Sequence, residues 1–151
     1  MYPEAWHRSV LKAAALLPLA ASLGACGSGI ALDEPIEGPV WRLAQMDGQP
    51  VAPGSDPARN PQLQFERGAG RVSGSGGCNR LAGSYTRSGS RLHLSPLGST
   101  RMACADDGRN QLESRFLQRL QATTSYRLPA PGRMVLLDAS GQTLAAFEAA
   151  R

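Results

Sequence analysis

From residue 40 onward, the sequence consists of short segments in which apolar and polar residues alternate, separated by turns rich in glycine or proline. In VWRLAQM (40–46), QLQFE (62–66) and RLHLS (91–95), two large apolar residues stand two positions apart: Trp41 and Leu43, Leu63 and Phe65, and Leu92 and Leu94. Successive side chains of a strand point to opposite faces, so this alternation is typical of strands with one buried face. The pattern predicts an antiparallel sheet of short strands joined by tight turns.

Turn signals such as Asp47-Gly48, Ser88-Gly89-Ser90 and Ser140-Gly141 separate the segments from one another. About eight strands are predicted in this way, and the last three follow one another in meander order. Their ranges are 40–46, 62–66, 71–75, 84–87, 91–95, 124–128, 134–138 and 143–148.

One segment has a helical pattern instead. Its apolar residues recur at helical spacing, at Leu112, Phe116, Leu117 and Leu120. Asp106 and Asp107 precede them and are suited to cap the helix and complement its dipole. The predicted helix runs from about Asp107 to Gln121. The fold class expected from these elements is α+β but mostly β: a small antiparallel barrel-like sheet with one covering α-helix.

Residues 1–25 are predicted to be a lipoprotein signal peptide. The apolar run 13–23 has eleven residues, fewer than the roughly 20 that a membrane span requires. Leu23-Gly24-Ala25-Cys26 resembles the bacterial lipobox, in which cleavage leaves a diacylated cysteine as the first residue. We therefore expect Cys26 to carry a lipid, residues 26–37 to form a flexible tether, and residues 38–150 to form the folded domain.

This signal also predicts where the protein resides. A lipid on Cys26 makes the membrane of the bacterial envelope its first partner. Gly27 follows the expected anchor, and in bacterial lipoproteins, which the segment resembles, an aspartate at that position favours retention in the inner membrane. The outer membrane, with the domain facing the periplasm, is therefore the expected location.

Charge and lysine content exclude several functions. Without residues 1–25, the chain has fourteen arginines and eleven acidic residues, a net charge of +3. The arginines are spread along the chain and aromatic residues make up only 5% of it, so we expect no nucleic-acid partner. No lysine follows Lys12, which excludes a Schiff-base lysine, a phosphate-loop lysine and a Ser-x-x-Lys nucleophile from the domain.

Three motifs in order resemble the META domain, the HslJ-like family. They are GCNRLAGSY (77–85), PLGSTRMAC (96–104) and TSYRL (124–128), and the resemblance spans Gly38 to Phe147. It implies a small antiparallel barrel-like sheet with a helix, in agreement with the strand count above. It also implies an exported or lipid-anchored protein associated with envelope stress or antibiotic tolerance. It assigns no catalytic residues.

Cys78 and Cys104 are the cysteines that remain if Cys26 is acylated. The compartment implied by the signal is oxidising, so a disulfide between them is the leading prediction. Two reduced cysteines that act as small core residues are the alternative.

Other chemistry is poorly supported by the sequence. Cys78, Cys104 and His93 are too few for a structural zinc site, and no further signature marks them as a catalytic zinc site or a thiol protease. No G-x-S-x-G occurs, and the glycines at 74–77 precede no helix. We expect these glycines to serve a bend or a close approach of strands. No metal, cofactor or catalytic residue is therefore predicted.

Asn79 and Arg101 are the candidate binding residues. Asn79 is suited to a left-handed conformation or to a side-chain turn, and the Arg101 guanidinium is suited to bind loop carbonyls or an anionic group of a partner. A structural role is the favoured prediction for both.

The predicted function is that of a lipid-anchored, non-enzymatic binding or envelope-stress module with an unknown periplasmic protein or small ligand as its partner. One alternative is a small-ligand carrier that uses the barrel interior. The other is an enzyme that uses Asn79, Arg101 and His93 together.

Overall fold

The computed structural model describes residues 35–102 and 104–150, and these residues form ten strands, one 3-10 turn (Pro57–Arg59) and one α-helix. The strands are β1 (Val40–Met46), β2 (Gln49–Pro50), β3 (Gln62–Glu66), β4 (Arg71–Ser75), β5 (Arg80–Ser88), β6 (Arg91–Leu94), β7 (Gly98–Ser99), β8 (Ser125–Ala130), β9 (Arg133–Leu137) and β10 (Thr143–Ala149). The helix α1 is Asp107–Gln121.

Eight of these strands close into an antiparallel barrel in the order β1-β3-β4-β5-β6-β8-β9-β10, and β10 pairs with β1. The two-residue strands β2 and β7 pair with β1 and β5. Trp41 lies opposite Leu63 and Leu43 opposite Phe147, so the apolar faces of neighbouring strands coincide. The predicted barrel-like fold of about eight strands with one helix is confirmed.

Large side chains fill the core of this barrel. Trp41, Phe65, Phe116 and Phe147 are each at most 2% exposed, and the Phe116 and Phe147 rings lie 6.1 Å apart. Phe116 comes from the helix, so the helix covers and also completes the core. Burial of such aromatic and aliphatic surface is the main favourable contribution to folding.

Helix α1 has the predicted limits. Asp106 is its N-cap, and the Asp106 carboxylate accepts a hydrogen bond of 2.8 Å from the Gly108 amide. The buried face of the helix differs from the predicted stripe. Leu112 and Leu117 are only partly buried, whereas Glu113 is buried beside Phe116 and Leu120.

Asp47 connects this helix to the turn between β1 and β2. Its carboxylate lies 2.7 Å from Arg119 Nε and 3.1 Å from an Arg115 guanidinium nitrogen. Partial burial alone raises the pKa of Asp47, but the hydrogen bonds and positive charges of Arg119 and Arg115 outweigh it and hold the pKa below its ordinary value.

Asp47→Asn should lower the free energy of unfolding by about 0.5–1 kcal/mol at pH 7, the range of an exposed ion pair. A carboxyl group with a depressed folded-state pKa contributes stability above its unfolded-state pKa and loses it as the pH falls through the folded-state value. Urea unfolding at pH 7 and at about pH 3 measures this. The difference between the variant and the wild type should be smaller at about pH 3 than at pH 7, and an equal difference at both pH values would contradict the pairing of Asp47 with the two arginines as its source.

The chain enters the barrel earlier than predicted. Ile36 is fully buried, and its carbonyl accepts a hydrogen bond of 2.7 Å from Trp41 Nε1. Glu37 bridges to Phe65 and accepts a hydrogen bond of 3.0 Å from the Tyr85 hydroxyl. The folded domain therefore includes the last two residues of the predicted tether 26–37, because Ile36 packs into the core.

Burial and the neighbouring Glu37 carboxylate raise the pKa of Tyr85 to about 12.

The predicted signal peptide, Cys26 and most of the predicted tether lie outside the described residues. None of the helical segments within the described part has the length and apolarity that a membrane crossing requires.

Gly74 allows β3 and β4 to approach closely, as predicted for the glycines at 74–77. It lies opposite Leu63, and a Cβ atom added to Gly74 would overlap the Gln62 carbonyl oxygen and lie 3.1 Å from Leu63 Cα. These neighbours are backbone atoms, which cannot move aside without disturbing the sheet.

Gly74→Ala should therefore lower the free energy of unfolding by about 1–3 kcal/mol, the range for overpacking, and thermal or urea unfolding measures the loss. Gly98→Ala in β7 is the matched control, because its nearest neighbour, the Ala82 carbonyl oxygen, is 3.6 Å from the added Cβ. Equal stability of the two variants would contradict the close approach.

Candidate functional site

A disulfide brings two of the sequence motifs together. Cys78 lies in the turn before β5 and Cys104 lies shortly before helix α1, and their sulfur atoms are bonded with Cα atoms 5.9 Å apart. The bond joins residues 26 positions apart in the sequence. The structure thus has the predicted pairing, and it places the turn before β5 against the segment after β7.

Asn79 fixes the segment that follows β7. Its side-chain oxygen accepts a hydrogen bond of 2.7 Å from the Met102 amide and one of 3.0 Å from the Thr100 hydroxyl. Thr100 in turn pairs with Arg80: its amide donates to the Arg80 carbonyl, and its hydroxyl accepts from the Arg80 amide. The segment 100–102 is therefore fixed by Asn79 although it has no regular secondary structure.

Glu113 of helix α1 fixes the other segment, the turn before β5. Its Oε2 accepts hydrogen bonds from the Asn79 amide at 2.7 Å and the Cys78 amide at 3.1 Å, and its Oε1 accepts one from Asn79 Nδ2 at 2.7 Å. Glu113 is only 7% exposed, so these three donors replace the water that a carboxylate would otherwise bind. A Cβ atom on Gly76 would lie 2.5 Å from Glu113 Cγ, so glycine leaves the room that this side chain needs.

Sequence reasoning missed Glu113, although a signal was present. Glu113, Phe116 and Leu120 are spaced i, i+3, i+7, which places the carboxylate on the buried stripe of the helix. A carboxylate in that position requires several donors, and loop amides are the usual source. The sequence does not show which loop provides them, because that depends on how the helix is placed over the barrel.

The candidate residues are only partly brought together. Asn79 and Arg101 are close in the fold, because Asn79 binds the residue after Arg101. His93 is exposed on β6 opposite Thr86, and Thr86 is seven residues beyond Asn79 along β5, a separation on the order of 20 Å. This separation counts against an enzyme that would use all three residues.

The side-chain amide of Asn79 is also used in hydrogen bonds within the protein. Its nitrogen donates to Glu113, and its oxygen accepts from Thr100 and Met102. In the part of the chain that the structure describes, no three histidine, cysteine or acidic side chains are grouped as metal ligands.

An open groove lies beside the disulfide. It consists of two adjoining depressions of about 620 and 480 Å³, both lined by Arg59, Cys78 and Met102. Arg80 lines the first depression and Arg109 lines the second. We call these two depressions the disulfide-end groove.

The disulfide-end groove is lined by more cations than anions. Its acids are Asp56 and Asp106, and both serve local structure: Asp56 lies 3.4 Å from Arg59 Nε, and Asp106 caps helix α1. Arg80 and Arg109 form no ion pair with the described residues, and neither does Arg101, which is exposed next to Met102. Met102 is itself 59% exposed, whereas the other large apolar side chains in the described part are at least partly buried.

The barrel interior offers less to a ligand than this groove. Leu63, Leu92 and Leu136 are fully buried and pack with the aromatic residues of the core. Another depression, of about 220 Å³, lies outside the disulfide-end groove, between β1 and the loop at Ala52 and Pro53. The packed interior counts against a carrier that would hold its ligand inside the barrel.

Solved structures share this fold. An NMR structure of a protein from Burkholderia xenovorans is 33% identical, and the match covers 77% of this chain and 85% of that chain with a TM-score of 0.58. Another NMR structure is 27% identical over 75% of this chain and 91% of that one, with a TM-score of 0.57. A crystal structure of a DUF4847 family protein from Bacteroides vulgatus ATCC 8482 is 14% identical over 75% of this chain and 93% of that one, with a TM-score of 0.53, and shows the fold alone.

No curated protein matches the chain. The sequence model of the META domain matches residues 34–151, which is most of the chain and contains both segments joined by the disulfide. Its first matched residues also include Ile36, which the structure places in the core. The chain belongs to the META domain family.

Proposed function

We propose that this META domain protein is a lipid-anchored, non-enzymatic binding module of the bacterial envelope. One observation favours a binding function over a catalytic one. The side chains of Asn79, in the first motif segment, and of Glu113, in helix α1, are used in hydrogen bonds that build the fold. The adjacent disulfide-end groove is left open and is flanked by Arg80 and Arg109.

The geometry supports a tether that leaves this groove accessible. Gln62, Ser75 and Arg80 are in register across β3, β4 and β5 and line the groove. At the other end of these strands, Phe65 pairs with Glu37, where the chain enters the barrel. The two ends of β3 are separated by roughly 13 Å, so a tether attached at Glu37 leaves the groove at the far end of these strands.

The proposed anchor is Cys26. Nine residues lead from it to Pro35, a length that spans at most about 30 Å when fully extended. Acyl chains would therefore keep the barrel within a short distance of the membrane and raise its effective concentration for an envelope partner. A role in envelope stress or antibiotic tolerance belongs to the same proposal, because binding at the membrane surface would act where such stress arises.

Expression of the full chain in bacteria tests the anchor. Wild-type protein should be found in the membrane fraction and should incorporate a labelled fatty acid, whereas Cys26→Ser should lose the label. Ser28→Ala is the matched control and should behave as wild type. A Cys26→Ser protein that still incorporated the labelled fatty acid would overturn lipid anchoring at this residue.

A further inference from the structure

We propose that the disulfide-end groove binds an acidic segment of a partner protein. The carboxylates of that segment would pair with Arg80, Arg101 and Arg109, and one of its apolar side chains would pack on Met102. This inference rests on the proposed binding function and names the chemistry of the partner.

The charge of the groove supports an anionic partner. Arg80 and Arg109 line the groove and Arg101 is exposed beside it, and none of them is ion-paired with a described residue. A guanidinium group binds a carboxylate through two parallel hydrogen bonds and is less strongly hydrated than an ammonium group. Two such groups in the groove and a third on the exposed segment beside it suit a series of carboxylates.

Met102 favours a protein over a simple anion. Its side chain is 59% exposed at the point where the two depressions meet. Methionine adapts its shape to varied apolar partners, and an apolar side chain of a peptide would remove this surface from water. A phosphate group has no such side chain and would leave Met102 exposed.

The backbone that carries Met102 and Arg101 is already ordered. The Met102 amide donates to Asn79, and the adjacent Thr100 is held through Arg80 and Asn79. The disulfide fixes Cys104 two residues further on. Binding to a preordered surface loses less conformational entropy, so a short peptide segment is a suitable partner.

The size and position of the groove agree with this partner. Depressions of about 620 and 480 Å³ hold several side chains rather than one ion. The groove also lies at the opposite end of β3 from Glu37, where the tether joins. A protein in the periplasm would reach that end more readily than the headgroups of the anchoring membrane.

The test uses the purified full chain with Cys26→Ser and an oxidised disulfide, and a fluorescein-labelled peptide in which aspartate and glutamate alternate with leucine and phenylalanine. Fluorescence anisotropy should show binding that Arg101→Glu weakens at least tenfold. Arg127→Glu on β8, an exposed arginine away from the groove, is the charge-matched control and should change the affinity less than twofold. Amide NMR shifts should change at residues 78–80 and 99–102.

Met102→Ser separates a peptide from an anion. It should weaken binding at least threefold for the peptide above and should have no effect on a version with serine at the apolar positions. Unchanged binding of both peptides, or an equal loss for Arg127→Glu and Arg101→Glu, would overturn the proposal. Inorganic phosphate or phosphatidylglycerol vesicles that bind with the same dependence on Arg101 but no dependence on Met102 would also overturn it, in favour of an anionic group. None of these results depends on whether Cys26 anchors the protein.

Discussion

Glu113→Leu should lower the free energy of unfolding by about 3–5 kcal/mol, because it leaves buried hydrogen-bond donors without an acceptor. The Asn79 amide, the Cys78 amide and Asn79 Nδ2 all donate to this carboxylate. Leucine has a similar volume and high helix propensity, so the loss would report the hydrogen bonds rather than the helix. Urea unfolding of the full chain with Cys26→Ser measures it.

Gln118→Leu is the matched control for Glu113→Leu. Gln118 is exposed on the same helix, so its replacement should change the free energy of unfolding by less than about 0.5 kcal/mol. A small loss for Glu113→Leu, comparable to that of the control, would show that the carboxylate does not organise the turn before β5.

Loss of the disulfide should have the second large effect. Cys78→Ala combined with Cys104→Ala removes a cross-link between residues 26 positions apart, and restriction of the unfolded chain by such a cross-link contributes roughly 3–4 kcal/mol. The double variant should therefore unfold at lower urea concentration than the oxidised wild type. Intact mass after thiol labelling confirms the oxidised starting state.

Reduction of the wild type provides the control for this variant, because reduced wild type and the double variant should unfold at similar urea concentrations. Wild-type protein whose stability did not respond to reductant would contradict a stabilising disulfide. The losses from Glu113→Leu and from disulfide removal should also fail to add, because both interactions hold Cys78 and Asn79 in the same turn.

The regular elements of the barrel were largely accessible from the sequence. Alternation marked β1, β3 and β6, and the cap at Asp106 with the apolar spacing marked helix α1. The prediction for β5 was too short: it began at Ser84, whereas the strand begins at Arg80. Leu81, Ala82 and Gly83 lack the strong alternation that identifies a strand in a sequence. They belong to the strand because this part of β5 pairs with β4 and β7.

Contacts between distant segments were the part that the sequence concealed. Ile36 stands alone between a proline and a glutamate, so no periodicity identifies it as a core residue. The pairing of Asp47 with Arg115 and Arg119 depends on where the helix lies over the barrel. The same holds for Glu113, which reaches amides 34 and 35 residues away.

The disulfide and Asn79 could be predicted from the sequence, whereas the groove beside them could not. Cys78 and Cys104 were predictable as a pair because Cys26 was assigned to the lipid. The structure gives Asn79 a structural role, as favoured from the sequence, but through its bonds to Met102 and Glu113 and not through a left-handed conformation, which Asp47 alone adopts among the described non-glycine residues. The groove itself was not predictable, since Arg59, Arg80 and Arg109 come from three separate segments.

Photo-crosslinking in the bacterial envelope tests the central proposal, a tethered barrel that binds a protein through its disulfide-end groove. A photoreactive residue at Met102 of the lipid-anchored chain should give a discrete protein adduct that Arg101→Glu diminishes. The same residue at Arg67, which is exposed in the turn after β3 at the opposite end of the strand, should give no such adduct. Protein adducts at Arg67 but none at Met102, or the same adducts at both positions, would contradict the proposal.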